Sequence, residues 1–292
     1  MMSEQQHLHR SMMRRRALLR VAAVAPLMPL ASCSTTNYGD DQFHLAMATP
    51  GKDVMWVPTR ENVAVAMLEA AQVDSRDRVY DLGSGDGVIP IVAARRFGAR
   101  AVGIEYNPDL VALSQRNAVR AGVTERVSLK RGDIFVEDFS DATVVTLYLG
   151  EQLNLRLEPR LRALRPGTRI VSNIFTLGAW VPDRTLNLAD GGRAFLWIVP
   201  AAVEGRWRFE GIPGEGDLSV NLLQRAQFFD LRSGGVLSAR AGEGRLNGQR
   251  AEFELPTARG RNLKLTGRFD GDRFQGQVVG EAGARIIGSR QR

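Results

Sequence analysis

Apolar positions follow two different periods along this chain. Between residues 59 and 173, short apolar runs typical of buried strands alternate with segments whose apolar residues recur every three or four positions. The runs predict strands at 78–81, 101–105, 126–131, 142–148 and 168–173, and the periodic segments predict helices at 59–71, 88–97, 108–121 and 152–164. Strands alternating with helices predict an α/β fold with a parallel, doubly wound sheet. Residues 184–188 and 194–199 fit an antiparallel hairpin at its edge.

The pattern changes after Pro200, where apolar and polar residues alternate in the manner of strands. Three strong hairpin signals punctuate this stretch: Ser233-Gly234-Gly235, Asn247-Gly248 and Asp270-Gly271. We therefore predict a small all-β domain, an antiparallel meander of five to seven strands. A structural or docking module is the favoured interpretation of it, and a ligand-binding half-barrel is the alternative. The predicted domains are 52–201 and 202–292.

Composition limits the kinds of site that the chain can build. The formal charge of +7 comes largely from the N-terminus, because five basic residues and one acidic residue precede Cys33. The remaining 34 basic and 31 acidic residues give no electrostatic case for nucleic-acid binding. Only three histidines occur, so we expect no metal site and no histidine-based catalysis.

The turn that follows the first predicted strand carries the most specific chemical signal. Residues 81–87 read Asp-Leu-Gly-Ser-Gly-Asp-Gly and join that strand to a predicted helix. Gly83 and Gly85 let a backbone turn tightly and approach a ligand closely. Asp81 at the strand end would repel a pyrophosphate, which the usual dinucleotide turn binds, but would suit a cationic ligand.

Two more carboxylates follow at the ends of the next two predicted strands. Glu105 lies 22 residues after Gly83, where an acid that binds ribose hydroxyls is expected. Asp133 closes the third strand and is suited to accept a hydrogen bond from an adenine amine. Three acids at successive strand ends, with no Lys or Arg in the glycine turn, predict S-adenosyl-L-methionine as the cofactor.

The same residues resemble the class I, seven-stranded S-adenosylmethionine-dependent methyltransferases, and most closely the protein-lysine methyltransferases of the FAM173 type and their bacterial relatives. The resemblance covers roughly residues 56–200. The matching segments are Val57-Pro58-Thr59, residues 79–87, Gly103-Ile104-Glu105, residues 142–149, Leu153-Asn154 and residues 166–172.

The resemblance implies methylation of a protein lysine by direct in-line transfer, with a small-molecule acceptor or a non-catalytic exported scaffold as alternatives. It implies that Pro58 and Thr59 fold over the methionine end of the cofactor, and Thr59 is also the expected N-cap of the first helix. Tyr148 and Thr146, at the end of and within the fourth predicted strand, are the expected catalytic residues. Trp56, Phe175 and Trp180 either line an acceptor channel or pack the sheet edge. Asn173 cannot act as a general base.

The N-terminus resembles an export signal. Arg14-Arg15-Arg16 precede an apolar run at 21–30 that is too short to span a bilayer, and Leu30-Ala31-Ser32-Cys33 resembles a lipobox. We predict a signal peptide over 1–33, membrane anchoring in the cell envelope through a lipidated Cys33, and a linker over 34–51. Translation from Met47 or Met55 would instead leave the enzyme in the cytoplasm, where S-adenosylmethionine is made.

Overall fold

A computed structural model describes residues 55–233, 240–257, 260–281 and 284–291. The predicted signal peptide with Cys33 and the predicted linker lie outside the described residues. In chain order the helices are α1 Glu61–Ala70, α2 Val88–Phe97, α3 Pro108–Arg120 and α4 Glu151–Arg162. None of the helices among these residues is long and apolar enough to cross a membrane.

Seven strands form a mixed sheet that confirms the predicted α/β fold. They are β1 Arg78–Leu82, β2 Arg100–Glu105, β3 Val127–Arg131, β4 Val144–Leu147, β5 Arg169–Asn173, β6 Arg184–Asn187 and β7 Arg193–Ile198. The spatial order is β3-β2-β1-β4-β5-β7-β6, with β7 antiparallel to both of its neighbours and the other pairs parallel. The order reverses direction at β1, so the crevice beside the ends of β1 and β4 is the expected ligand site of such a sheet.

The sheet is buried on both faces, as parallel strands covered by helices should be. All four residues of β4 are buried, and so are four of the five in β1. One apolar cluster includes Met67 of α1 and Ile91 of α2, and the other includes Leu157 of α4 and Trp197 of β7. These two layers hold the strand ends in fixed positions.

The first helix begins later than predicted. Arg60 keeps an extended backbone with ψ of 144°, so the helix begins at Glu61. Arg60 therefore occupies the N-cap position, without a capping side-chain bond, and the prediction of Thr59 as N-cap was wrong. Thr59 is buried, with 8% of its surface exposed.

The second sheet is a closed barrel of eight antiparallel strands, which is more than the five to seven predicted. The strands are β8 Gly205–Glu210, β9 Leu218–Arg225, β10 Phe228–Ser233, β11 Arg240–Asn247, β12 Arg250–Pro256, β13 Asn262–Asp270, β14 Arg273–Val278 and β15 Arg285–Arg290. Pairing of β15 with β8 and of β9 with β10 closes the ring. Six aromatic side chains fill the interior: Trp207, Phe209, Phe229, Phe253, Phe269 and Phe274. This interior is a packed core, so the half-barrel alternative does not describe it.

Polar contacts join the barrel to the segment between β5 and β6. Gln227 is fully buried; its side chain accepts a hydrogen bond from the Trp180 indole (3.1 Å) and donates one to the Val181 carbonyl (2.7 Å). The Arg245 guanidinium lies 2.9 Å from the Asp183 carboxylate. Trp180 therefore packs against the barrel.

Candidate functional site

A cavity opens at the carboxyl edge of the sheet, beside the ends of β1 to β4. Its lining residues are Met55, Trp56, Val57, Thr59, Asp81, Gly83, Ser84, Gly85, Asp86, Val88, Ile89, Glu105, Tyr106, Asn107, Leu110, Gly132, Asp133, Ile134, Phe135, Tyr148, Leu149 and Leu153. Four carboxylates are in this lining, and no Lys or Arg is among the described residues that form it. Such a lining favours a cationic ligand.

The glycine turn forms the floor of the cavity and tolerates no side chain. Gly83 and Gly85 have φ of 78° and 50°, in the left-handed region that glycine favours. A Cβ atom added to Gly83 would lie 2.4 Å from Leu149 Cδ2, and one on Gly85 would lie 2.5 Å from Trp56 Nε1. The turn is anchored by the backbone N–H of Gly83, which donates to the Ile104 carbonyl at 2.8 Å.

Glu105 ties the end of β2 to this turn. Its Oε2 accepts a hydrogen bond from the Gly85 N–H (2.9 Å), and its Oε1 accepts one from the Asn107 N–H (2.8 Å). A carboxylate oxygen has two lone pairs, so both atoms keep acceptor capacity toward a ligand. Glu105 therefore shapes the turn in addition to the ribose-binding role predicted for it.

Asp81 lies deep in the cavity with 3% of its surface exposed. Its Oδ1 accepts a hydrogen bond from the Thr146 hydroxyl at 2.7 Å. Burial raises the pKa of Asp81 to about 7; the Thr146 bond opposes this shift, and the nearby Asp86 and Glu105 carboxylates add to it. A cation bound beside these three acids would relieve the repulsion.

Asp133 holds the far side of the cavity, at the position predicted to face adenine. Its Oδ1 accepts a hydrogen bond from the Phe135 N–H at 2.9 Å, which fixes the turn after β3. Ile134 and Phe135 line the wall next to it. An apolar wall bordered by one carboxylate is suited to an adenine ring.

Some of the other residues predicted for the site line the cavity, and others lie outside the lining. Thr59 and Tyr148 line the cavity, whereas Pro58 is absent from the lining. Thr146 is fully buried and directs its hydroxyl to Asp81. Thr146 thus helps to fix the Asp81 carboxylate, and the catalytic role predicted for Thr146 stays a prediction. Trp180, at 2% exposure, packs between the sheet and the barrel and not in an acceptor channel.

An aromatic pair marks the side of the cavity where an acceptor would enter. The Tyr148 and Phe175 rings stack with centroids 6.2 Å apart and planes inclined by 29°. Burial, followed by the Asp190 carboxylate, raises the pKa of the Tyr148 hydroxyl. This hydroxyl stays protonated at neutral pH, so it can hydrogen-bond to an amine but is no base.

Among the lining residues that were not predicted from the sequence, two polar ones belong to the glycine turn. Asp86 is buried, and its Oδ1 lies 3.3 Å from the Val88 N–H at the start of α2. Ser84 is buried too, and its Oγ has no hydrogen-bond partner among the described residues. Both lie within the Asp81–Gly87 turn. A hydroxyl and a carboxylate between the glycines of this turn were the sequence features that could have identified them as site residues.

These residues fit S-adenosylmethionine on three structural grounds. The lining supplies negative charge for its sulfonium and ammonium groups, the glycine floor admits close approach, and Ser84 Oγ offers an unused polar atom. Asp81, Glu105 and Asp133 would hold the methionine, ribose and adenine parts respectively. No group of His, Cys, Asp and Glu in the described part of the chain is arranged to hold a metal ion.

Comparison with known proteins agrees with this geometry. The profile of the ANTKMT methyltransferase domain matches residues 81–184. The chain is 44% identical over 151 residues to a protein-lysine N-methyltransferase of Saccharolobus islandicus, in an alignment that covers 50% of this chain and 94% of that protein. It is 37% identical over 136 residues to the adenine nucleotide translocase lysine N-methyltransferase of Mus musculus, covering 43% of this chain and 59% of the mouse protein. The chain thus spans about three fifths of the length of this mouse relative.

A solved structure is also similar to half of the chain. It is the RNA methyltransferase from Salinibacter ruber in complex with S-adenosyl-L-homocysteine, which is 51% identical, with a TM-score of 0.49. The match covers 50% of this chain and 96% of that one.

Proposed function

This chain belongs to the ANTKMT type of S-adenosylmethionine-dependent methyltransferases, and we propose that it methylates the side-chain amine of a lysine in a protein substrate. The observation that carries the proposal is the cavity lined by four carboxylates, with the stacked Tyr148 and Phe175 rings at its side. The relative that matches over 94% of its own length is named a protein-lysine N-methyltransferase.

The chemistry requires alignment more than acid–base groups. S-adenosylmethionine supplies an electrophilic methyl group, and as the amine lone pair forms the new N–C bond the C–S bond breaks, its electron pair going to sulfur. Asp81, positioned by its hydrogen bond from Thr146, would hold the cationic methionine end, and Glu105 with the glycine turn would hold the ribose. Held in this way, the methyl carbon would be available for in-line attack by a nitrogen at about 3–3.5 Å, with water excluded.

The attacking amine must be neutral, whereas a lysine in water has a pKa of about 10.4. Burial between aromatic rings disfavours the charged form and so lowers the pKa of the lysine. Tyr148 and Phe175 supply such walls, and the protonated Tyr148 hydroxyl can orient the amine by a hydrogen bond. The lysine proton leaves to solvent before the transfer.

The direct test incubates the purified full-length protein with radiolabelled S-adenosylmethionine and total cell protein, followed by gel separation and mass spectrometry. We expect a discrete labelled protein modified on lysine, and no label with Asp81→Ala. Tyr148→Phe should keep cofactor affinity and lower the labelling rate about tenfold, by loss of one hydrogen bond to the amine. Label in small molecules or in added RNA, with none in protein, would contradict the proposal.

We further propose that residues 1–33 direct the protein to the cell envelope and that a lipid on Cys33 anchors it to the membrane. The support is the charged, apolar and Leu-Ala-Ser-Cys order of the sequence. Cells grown with labelled palmitate should yield a labelled protein that Cys33→Ser abolishes. Unlabelled, full-length protein in the cytoplasmic fraction would reject the proposal.

A further inference from the structure

The ends of β4 and β5 place two polar side chains next to each other. The last pair of the parallel ladder is Leu147 with Ser172, so Asn173, the last residue of β5, and Tyr148, the first residue after β4, stand at neighbouring positions. The register therefore places Asn173 next to Tyr148, which lines the cavity, whereas Asn173 itself lies behind the lining.

The Asn173 side chain carries an acceptor atom that the fold does not use. Asn173 is only 6% exposed, and among the described residues its Oδ1 has no hydrogen-bond partner. Most buried polar atoms in proteins are hydrogen-bonded, so an exception calls for an explanation such as a functional role. A donor on a substrate is one such explanation.

The backbone after Asn173 is strained in a way that shapes this region. Ile174 has φ of +66°, and the Phe175 N–H donates to the Asn173 carbonyl at 2.8 Å, which defines the rare classic γ-turn. A β-branched residue in this conformation is an outlier. The Asn154 side chain donates to the Phe175 carbonyl at 3.3 Å and helps to hold the turn, which sets Phe175 against Tyr148. Such strain is concentrated at functional sites.

The hairpin between β6 and β7 brings a negative charge to the same edge. Asn173 pairs with Ala194, so residues 188–192 of the hairpin turn extend past the end of β5. Asp190 in this turn accepts a hydrogen bond from the Gly192 N–H at 3.0 Å. Its exposed carboxylate acts on the Tyr148 hydroxyl, adding to the effect of burial on the pKa of Tyr148.

We propose that Asn173 and Asp190 form the subsite for the ammonium end of the acceptor lysine, beside the Tyr148 ring. This rests on the proposed lysine methylation. Asp190 attracts the incoming cation. Rotation of the Asn173 amide, whose terminal torsion is broad, turns its oxygen toward the amine. That oxygen accepts an N–H hydrogen bond but takes no proton, so it orients the lone pair toward the methyl group after the proton has left to solvent.

The test compares Asn173→Ala and Asp190→Asn with wild type, using as acceptor the protein that wild type labels. The Asp190→Asn side chain keeps an oxygen that can accept the hydrogen bond from the Gly192 N–H, so the substitution removes only the negative charge. Asp138→Asn is the matched control, because the exposed Asp138 accepts from the Ser140 N–H at 2.9 Å in the same i to i+2 manner.

For Asp190→Asn we expect KM for the acceptor to rise about three- to fivefold at low salt, with kcat nearly unchanged. The difference from wild type should vanish at about 0.5 M sodium chloride, because salt screens exposed charges. For Asn173→Ala we expect kcat/KM to fall about tenfold at every salt concentration, since the amine loses one hydrogen bond. Affinity for S-adenosylmethionine, measured by calorimetry, should stay within about twofold in both variants.

Competition by n-butylammonium chloride, with n-butanol as the neutral control, probes the subsite directly. The cation should inhibit wild type more strongly than either variant, and the alcohol should not discriminate among them. If wild type labels lysine but both variants keep the wild-type KM, kcat and competition, the subsite is overturned. The proposed function would still hold in that case. Absence of any lysine label in wild type would overturn the function, and the subsite with it.

Discussion

Replacing Asp81 with Asn should stabilise the protein in the absence of cofactor while removing cofactor binding. Asparagine has nearly the same shape and keeps an acceptor for the Thr146 hydroxyl, so the packing is preserved. The wild-type pKa of about 7, raised from 3.8, means that ionising Asp81 costs far more in the folded state than in the unfolded one. The substitution leaves the residues proposed to bind the acceptor lysine, including Asn173, unchanged.

The change in unfolding free energy with pH follows from the linkage between protonation of Asp81 and folding. A carboxyl with a raised folded-state pKa contributes stability below about pH 4 that is lost as pH rises through about 7. A shift of about three units corresponds to about 4 kcal/mol once Asp81 is fully ionised, of which about 2–3 kcal/mol develops between about pH 5 and 8. Asp81→Asn does not titrate, so its stability relative to wild type should grow by that amount over this interval.

Urea unfolding of both proteins at about pH 5 and pH 8 measures the effect. Adding S-adenosylmethionine at about 100 times its Kd should stabilise wild type by about 2.7 kcal/mol and leave Asp81→Asn unchanged. Asp77→Asn is the matched control, because Asp77 directly precedes β1 and is paired with Arg169. Losing the charge of Asp77 should lower the free energy of unfolding by about 1–3 kcal/mol. A wild-type minus Asp81→Asn difference that is equal at both pH values would refute the reasoning.

Three other substitutions test the cavity and its support. Glu105→Gln retains only one acceptor oxygen for two backbone N–H groups, so unfolding titrations should show a loss of about 1–2 kcal/mol and calorimetry a weaker cofactor affinity. Gly85→Ala should reduce cofactor affinity at least about tenfold by calorimetry, whereas Gly98→Ala, also at positive φ but away from the cavity, should cost only about 1 kcal/mol of stability. Gln227→Ala removes two buried hydrogen bonds, including that of Trp180, so it should destabilise by about 1–3 kcal/mol without changing cofactor affinity.

The sequence was sufficient to predict the sheet because each of its strands carries a local signal. Helix α2 has its predicted bounds of 88–97, since Gly87 and Gly98 stand at its two ends. The barrel was harder to predict, because closure depends on pairing between β15 and β8, which lie 75 residues or more apart in the chain. Strand β11, with two glycines among its eight residues, also carries a weak strand signal.

The cofactor side of the cavity was predictable from sequence because its acids follow directly after buried strands. Asp81, Glu105 and Asp133 all line one cavity, although their individual ligand contacts remain predictions. The acceptor side was not predictable in this way. The nearness of Asp190 to Tyr148 depends on how far the β6–β7 hairpin extends, which is a property of register and not of local sequence.

The cavity shows how cofactor affinity and stability oppose each other in this fold. Asp81 and Asp86 are both almost fully buried, and Glu105 is fixed near them by its bonds to the glycine turn. Without a cation, this arrangement keeps Asp81 half protonated near pH 7. A cationic cofactor favours the ionised form, so binding below about pH 7 must release a proton, and affinity should rise with pH until Asp81 is ionised. The clustering of Asp81, Asp86 and Glu105 should therefore favour a ligand that brings positive charge into the cavity.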